Sequence, residues 1–157
     1  MPRRNPKIDV QVAPRYSGKV LPALLRKAAR AALAQQAVRS GVELSIVITG
    51  NAQLRALNRE FRHIDAPTDV LAFATDERPA PGAHYLGDVV ISYTQARGQA
   101  KRCEHPVEAE LQLLVVHGVL HLLGHDHYTR AEKTRMWQAQ TEILRSIGAA
   151  VTDPCND

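Results

Sequence analysis

Residues 107–127 read VEAELQLLVVHGVLHLLGHDH, and this stretch sets the architecture expected of the whole chain. From Val107 to Leu123 it is rich in leucine and valine and has no internal proline, which predicts one long, largely buried helix. Gly124 then closes that helix, because glycine accepts the left-handed conformation common just past a helix C-terminus. Residues four apart on a helix lie one above the other, so His117 and His121 aim two imidazoles at one point. Reversal of the chain after Gly124 can bring His127 back as a third ligand. Three protein ligands leave a fourth tetrahedral position open for water, the arrangement of catalytic zinc rather than of closed structural sites. A lone histidine on an apolar helix is more simply a satisfied core residue. A third histidine at this distance beyond a helix-ending glycine favours the metal. His125 is expected to point away from the centre, in a supporting or surface role. Asp126 either orients an imidazole N–H, as carboxylates behind metal ligands do, or is an exposed turn residue.

Working outward, Ile8 to Val12 alternates like a short strand, and Lys19 to Ser40 reads as an Ala- and Leu-rich helix closed by Gly41. Val42 to Thr49 alternates as a second strand, and Gly50-Asn51 caps a helix running through Leu54, Leu57, Asn58 and Phe61. Asp65-Ala66-Pro67-Thr68 ends that helix before a strand at Val70 to Phe73. Asp76 to His84 holds two prolines and one glycine without periodicity, an expected exposed and mobile loop, and Leu86 to Tyr93 resumes as a strand. Helices follow from Thr94 to about Lys101, over the histidine segment, and from Arg130 to Ile147. Four strands segregated from later helices predict an α+β single domain: a small mixed four-stranded sheet packed against helices, with the histidine helix central. The domain is read as residues 1–157, with 1–6 and 152–157 as disordered tails.

At 157 residues the chain can bury a core without disulfide staples. Its two cysteines, Cys103 and Cys155, form no CxxC pair and suggest a reducing compartment without thiol chemistry. The basic N-terminus, Met1-Pro2-Arg3-Arg4-Asn5-Pro6-Lys7, precedes no apolar signal core, and no run approaches membrane-spanning length, so a soluble cytoplasmic protein is expected. A formal net charge of +4 gives weak support for a polyanionic partner. Its densest group, Arg26, Lys27, Arg30 and Arg39, is explained equally by the solvated face of the first helix. With aromatics at 4%, RNA recognition should rest on phosphate contacts rather than on an extended stacking platform.

Three segments together resemble a known family. His117-Gly118-Val119-Leu120-His121-Leu122-Leu123-Gly124-His125-Asp126-His127 is similar to the HGxLHLxGxDH signature of the YbeY family of bacterial metal-dependent endoribonucleases. Residues 57–73 resemble that family's LNxxFRxxDxPTDVLSF stretch, and Leu86-Gly87-Asp88-Val89-Val90-Ile91 resembles its LGDxxI strand. Ala72 departs from the usual Ser, and Ala74-Thr75 from the usual Pro, which touches local loop geometry and not the metal site. The resemblance implies an α+β fold with one zinc per chain on His117, His121 and His127, and a functionally important arginine at Arg62. It also implies cleavage of single-stranded RNA, in 3′-end maturation of small-subunit (16S) ribosomal RNA and in ribosome quality control. Ribosomal proteins and a ribosome-assembly GTPase are the further partners it suggests.

The chemistry expected of such a site is Lewis-acid help at a phosphoryl oxygen or a lowered water pKa, down to about 7 on zinc. Arg62 would stabilise extra negative charge with its planar fork of donors, unless a salt bridge to Asp65 or Asp69 explains it. Asp69 and Asp88 are candidates for positioning Arg62 or a strand end, with turn and cap roles open to them too. No residue stands out as the general base; Asp126 and a metal-bound hydroxide are the candidates. Metzincin proteases share the histidine spacing but carry Glu after the first ligand as general base, where this chain has Gly118. The small residue is expected to leave room for a bulky substrate. Two other function classes stay in view: a zinc-containing assembly factor that binds RNA without cutting it, and a zinc hydrolase of another class, such as a peptidase or amidase.

Overall fold

The computed structural model describes residues 5–38 and 40–151, and its four strands form one mixed sheet in the order β1-β2-β4-β3. Strands β1 (Lys7–Val12), β2 (Val42–Thr49) and β4 (His84–Ser92) are parallel, and β3 (Val70–Glu77) pairs antiparallel with β4. Parallel neighbours need a crossover, which α1 (Pro22–Gln35) supplies between β1 and β2. Next come α2 (Asn51–Arg62), α3 (Tyr93–Cys103), α4 (Val107–Leu122) and α5 (Arg130–Ser146). The period-two pattern of β2 sends Val42, Leu44, Ile46 and Ile48 into the main core with residues of α1, α4 and α5. The opposite face, with Val47, Leu71 and Val90, packs on Leu54 of α2.

Eleven of the sixteen residues of α4 are buried, so it is apolar on nearly every side, as a helix enclosed by the rest of the domain must be. It touches α1, α3, α5, β3 and β4. Two close approaches fix its height over the sheet. A Cβ on Gly118 would stand 2.5 Å from Val89 Cγ1, and one on Gly87 would stand 2.9 Å from Leu122 Cδ2. Gly118 therefore leaves room for the sheet and not for a substrate, which corrects the reading made from its size alone.

Several boundaries differ from expectation. Helix α1 ends five residues before Ser40, because Ala37 takes a positive φ of 55° and Val38 N–H donates to Leu33 C=O at 2.9 Å. Its start moves to Pro22, whose missing N–H costs nothing in the first turn. Ser92 ends β4 and caps α3, its Oγ accepting from Gln95 N–H at 3.2 Å, so Tyr93 is helical. The loop expected from Asp76 to His84 shrinks to residues 78–83, since polar Asp76 and Glu77 extend the edge strand β3. Cys103 is buried and is not a free thiol, so cysteine usage no longer supports a reducing compartment. The expectations for Arg39, Cys155 and residues 1–4 and 152–157 fall outside the described residues. No described helix is long and apolar enough to cross a membrane.

Candidate metal centre

His117 and His121 each precede a residue of α4 that meets the sheet, so the helical rotation of about 100° per residue carries their rings off the packed face. The helix ends in a Schellman motif: Gly124 (φ 96°) donates to His121 C=O at 3.0 Å, and His125 N–H to Leu120 C=O at 2.9 Å. The reversal brings His127 back, and one ligand nitrogen from each of His117, His121 and His127 lies within 4.8 Å of the others. Ring centroids are 4.7 Å apart for His117–His121, 5.3 Å for His121–His127 and 6.0 Å for His117–His127.

The donor set fits a divalent ion. Gln140 Oε1 lies 3.1 Å from His117 Nδ1, which places the proton on Nδ1 and bares Nε2. That Nε2 faces His121 Nε2 at 3.1 Å, close to the roughly 3.3 Å between two nitrogens bound to one tetrahedral zinc. Burial lowers the pKa of His117 and, aided by the two neighbouring imidazoles, brings that of His121 down to about 4. Both rings are thus held in the neutral form that binds metal. Gln140, on α5 and twenty-three residues from His117, carried no signal in the sequence, because the contact exists only once α5 packs on α4.

The other candidates separate. Asp69 lines a cavity of about 510 Å³ together with His117 and His127, and its charge acts on His117. Its Oδ1 accepts from Val70 N–H at 2.7 Å and its Oδ2 from Gln99 Nε2 at 3.2 Å. Asp126 Oδ1 accepts the backbone N–H of His127 at 2.8 Å and so shapes the ligand-bearing turn. His125 turns away, its Nε2 2.7 Å from Gln36 Oε1. Asp88 bonds Tyr85 on the α2 face of the sheet, opposite α4, and raises the Tyr85 pKa to about 12 together with burial, the larger cause. Arg62 is exposed at the end of α2 and does not line the cavity. Asp65 pairs instead with Arg55 at 2.8 Å, so the salt bridge that would have explained Arg62 is not formed with that residue.

A family model described as Endoribonuclease YbeY matches residues 10–148. The chain belongs to the YbeY endoribonuclease family. Proteins named Endoribonuclease YbeY include one from Roseiflexus castenholzii, 46% identical, with 90% of this chain and 92% of that protein covered. Another, from Dehalococcoides mccartyi, is 40% identical over 92% of this chain and 95% of its own length. A solution structure from Thermotoga maritima shares the fold with a TM-score of 0.55 and 23% identity, covering 96% of this chain and 99% of that one. YbeY membership and the three-histidine cluster agree on a nuclease whose centre can hold a metal ion.

Proposed function

We propose that this YbeY family member is a zinc-dependent, single-strand-specific endoribonuclease whose ion is held by His117, His121 and His127. The observation that carries this reading is a three-imidazole centre whose first ligand is followed by Gly118, packed against Val89. A carboxylate general base in that position, as peptide hydrolysis by the metzincin route needs, has no space. A divalent ion on the histidines supplies Lewis acidity to a phosphoryl oxygen and lowers the pKa of a water. The protein's own residues hold and orient. Gln140 fixes the His117 ring, the Asp126 carboxylate shapes the turn carrying His127, and Asp69 keeps negative charge beside His117. Arg62, which forms no ion pair among the described residues, is free to bring its fork of donors to the charge developing on phosphate. The substrate we assign is the 3′ region of small-subunit ribosomal RNA, with ribosomal proteins and an assembly GTPase as cytoplasmic partners.

Cleavage of end-labelled single-stranded ribosomal RNA by protein of known metal content tests the reading, beside His121→Ala and Arg62→Ala. Cutting should vanish in the first variant and fall about 100-fold or more in the second. Intact RNA with stoichiometric zinc would point instead to an assembly factor. A cyclic phosphate end would identify attack by the ribose 2′-hydroxyl and exclude direct hydrolysis.

A further inference from the structure

The cavity beside the histidines is larger than a metal centre needs, and the metal does not account for its other walls. Helix α5 lines it with Lys133, Trp137, Thr141 and Arg145, spaced by four and therefore on one stripe about 18 Å long. Trp137 is the one tryptophan of the chain and is half-buried. It lies one helical turn from Gln140, the residue that fixes His117, so their Cβ atoms are roughly 5–6 Å apart. Lys133 and Arg145 are exposed at the two ends of the stripe, where they meet solvent and would meet phosphates.

The remaining wall offers acceptors. Gln99 has committed its amide nitrogen to Asp69, which leaves Gln99 Oε1 buried and without a partner. Glu110 is fully buried with His105 Nε2 2.5 Å from its Oε2, and burial raises its pKa toward the neutral carboxyl, so it presents no open carboxylate to the cavity. A buried acceptor left open, as Gln99 Oε1 is, calls for a donor from outside the fold. An aromatic plane, flanking cations and a donor-seeking wall in one cavity beside a metal centre match a nucleotide in each of its parts: base face, phosphates and base edge.

We propose that this cavity is a nucleobase subsite in which Trp137 stacks one base of the RNA next to the cleavage centre. The acceptors Asp69 and Gln99 select a base carrying an exocyclic amine. The proposal rests on the RNA-cleavage reading of the centre for the identity of its ligand. Cytosine and uracil isolate the selection, since both are pyrimidines and differ in presenting an amino donor or a carbonyl acceptor at one position.

The test is titration of the full-length, zinc-loaded protein with 2′-O-methyl oligo(C) and oligo(U), reading tryptophan fluorescence and, independently, anisotropy of labelled oligonucleotide. Oligo(C) should quench saturably and bind at least about fivefold tighter than oligo(U). Trp137→Leu should weaken binding by about 5- to 100-fold with zinc content and thermal unfolding unchanged, and Trp137→Phe should restore most of it. Binding seen by anisotropy without quenching, or equal affinity for the two oligonucleotides, overturns the proposal. Failure of the parent reading looks different. RNA bound with quenching and selectivity but never cut removes the nuclease and leaves the subsite, whereas cutting and binding unchanged in Trp137→Leu remove the subsite and leave the nuclease.

Discussion

Gly118 shows how one residue can carry both a packing role and a functional exclusion. Its hydrogen faces Val89 on β4, and any side chain there collides with the sheet. Gly118→Ala gains about 1 kcal/mol in helix propensity but overpacks a close contact at about 1–3 kcal/mol. We expect a net loss of up to about 2 kcal/mol in urea unfolding, partly recovered when Val89→Ala is added. A variant more stable than wild type would mean the contact is slack. At the same scale, His121 couples stability to acidity. Its folded value of about 4 lies below the ordinary 6.5, so on acidification the unfolded chain binds a proton there before the folded one does. Metal-free protein should therefore lose stability as pH falls from about 6.5 towards 4, and this group should have no effect above that window. Urea midpoints across that range should slope less in His121→Ala; parallel slopes would assign the pH dependence elsewhere.

The element that decides the site is the C-terminal end of α4, where helix geometry supplies two of the clustered histidines and the turn after it supplies the third. Gly124 differs from Gly118 in kind: nothing lies within 4 Å of a Cβ built on it, but its φ is 96°. Gly124→Ala should cost about 1–2 kcal/mol through backbone strain alone. Because the turn carries His127, the same change should weaken zinc binding, measured by competition with a chromophoric chelator. Loss of stability with zinc affinity intact would show that His127 finds its place by another route. The turn, the Schellman closure and the histidine spacing are local, which is why residues 117–127 were legible in the sequence. The ends of α1 were not. Ala37 adopts the left-handed conformation usually left to glycine, and no composition signal marks it.

For the whole molecule, the core is assembled by α1, α4, α5 and the sheet without using the three histidines. Removing the metal should therefore leave a cooperative fold. Free zinc at about 100 times its dissociation constant adds about 2.7 kcal/mol, so a chelator should lower Tm by roughly 5–10 °C in a thermal melt. Collapse to a non-cooperative state would instead favour a structural zinc and the assembly-factor reading. The chain by itself determined the α+β class, the strands, the central helix and the convergence of three histidines. These rest on periodicity and on spacings within one helix and one turn, which a linear pattern expresses directly. Only the tertiary structure decided that Gln140 orients His117, that Asp88 lies on the far face of the sheet, and that Trp137 shares a cavity with His117 and His127. Those facts depend on which faces of distant elements are pressed together, and packing of that kind leaves no periodic trace in the residues it joins.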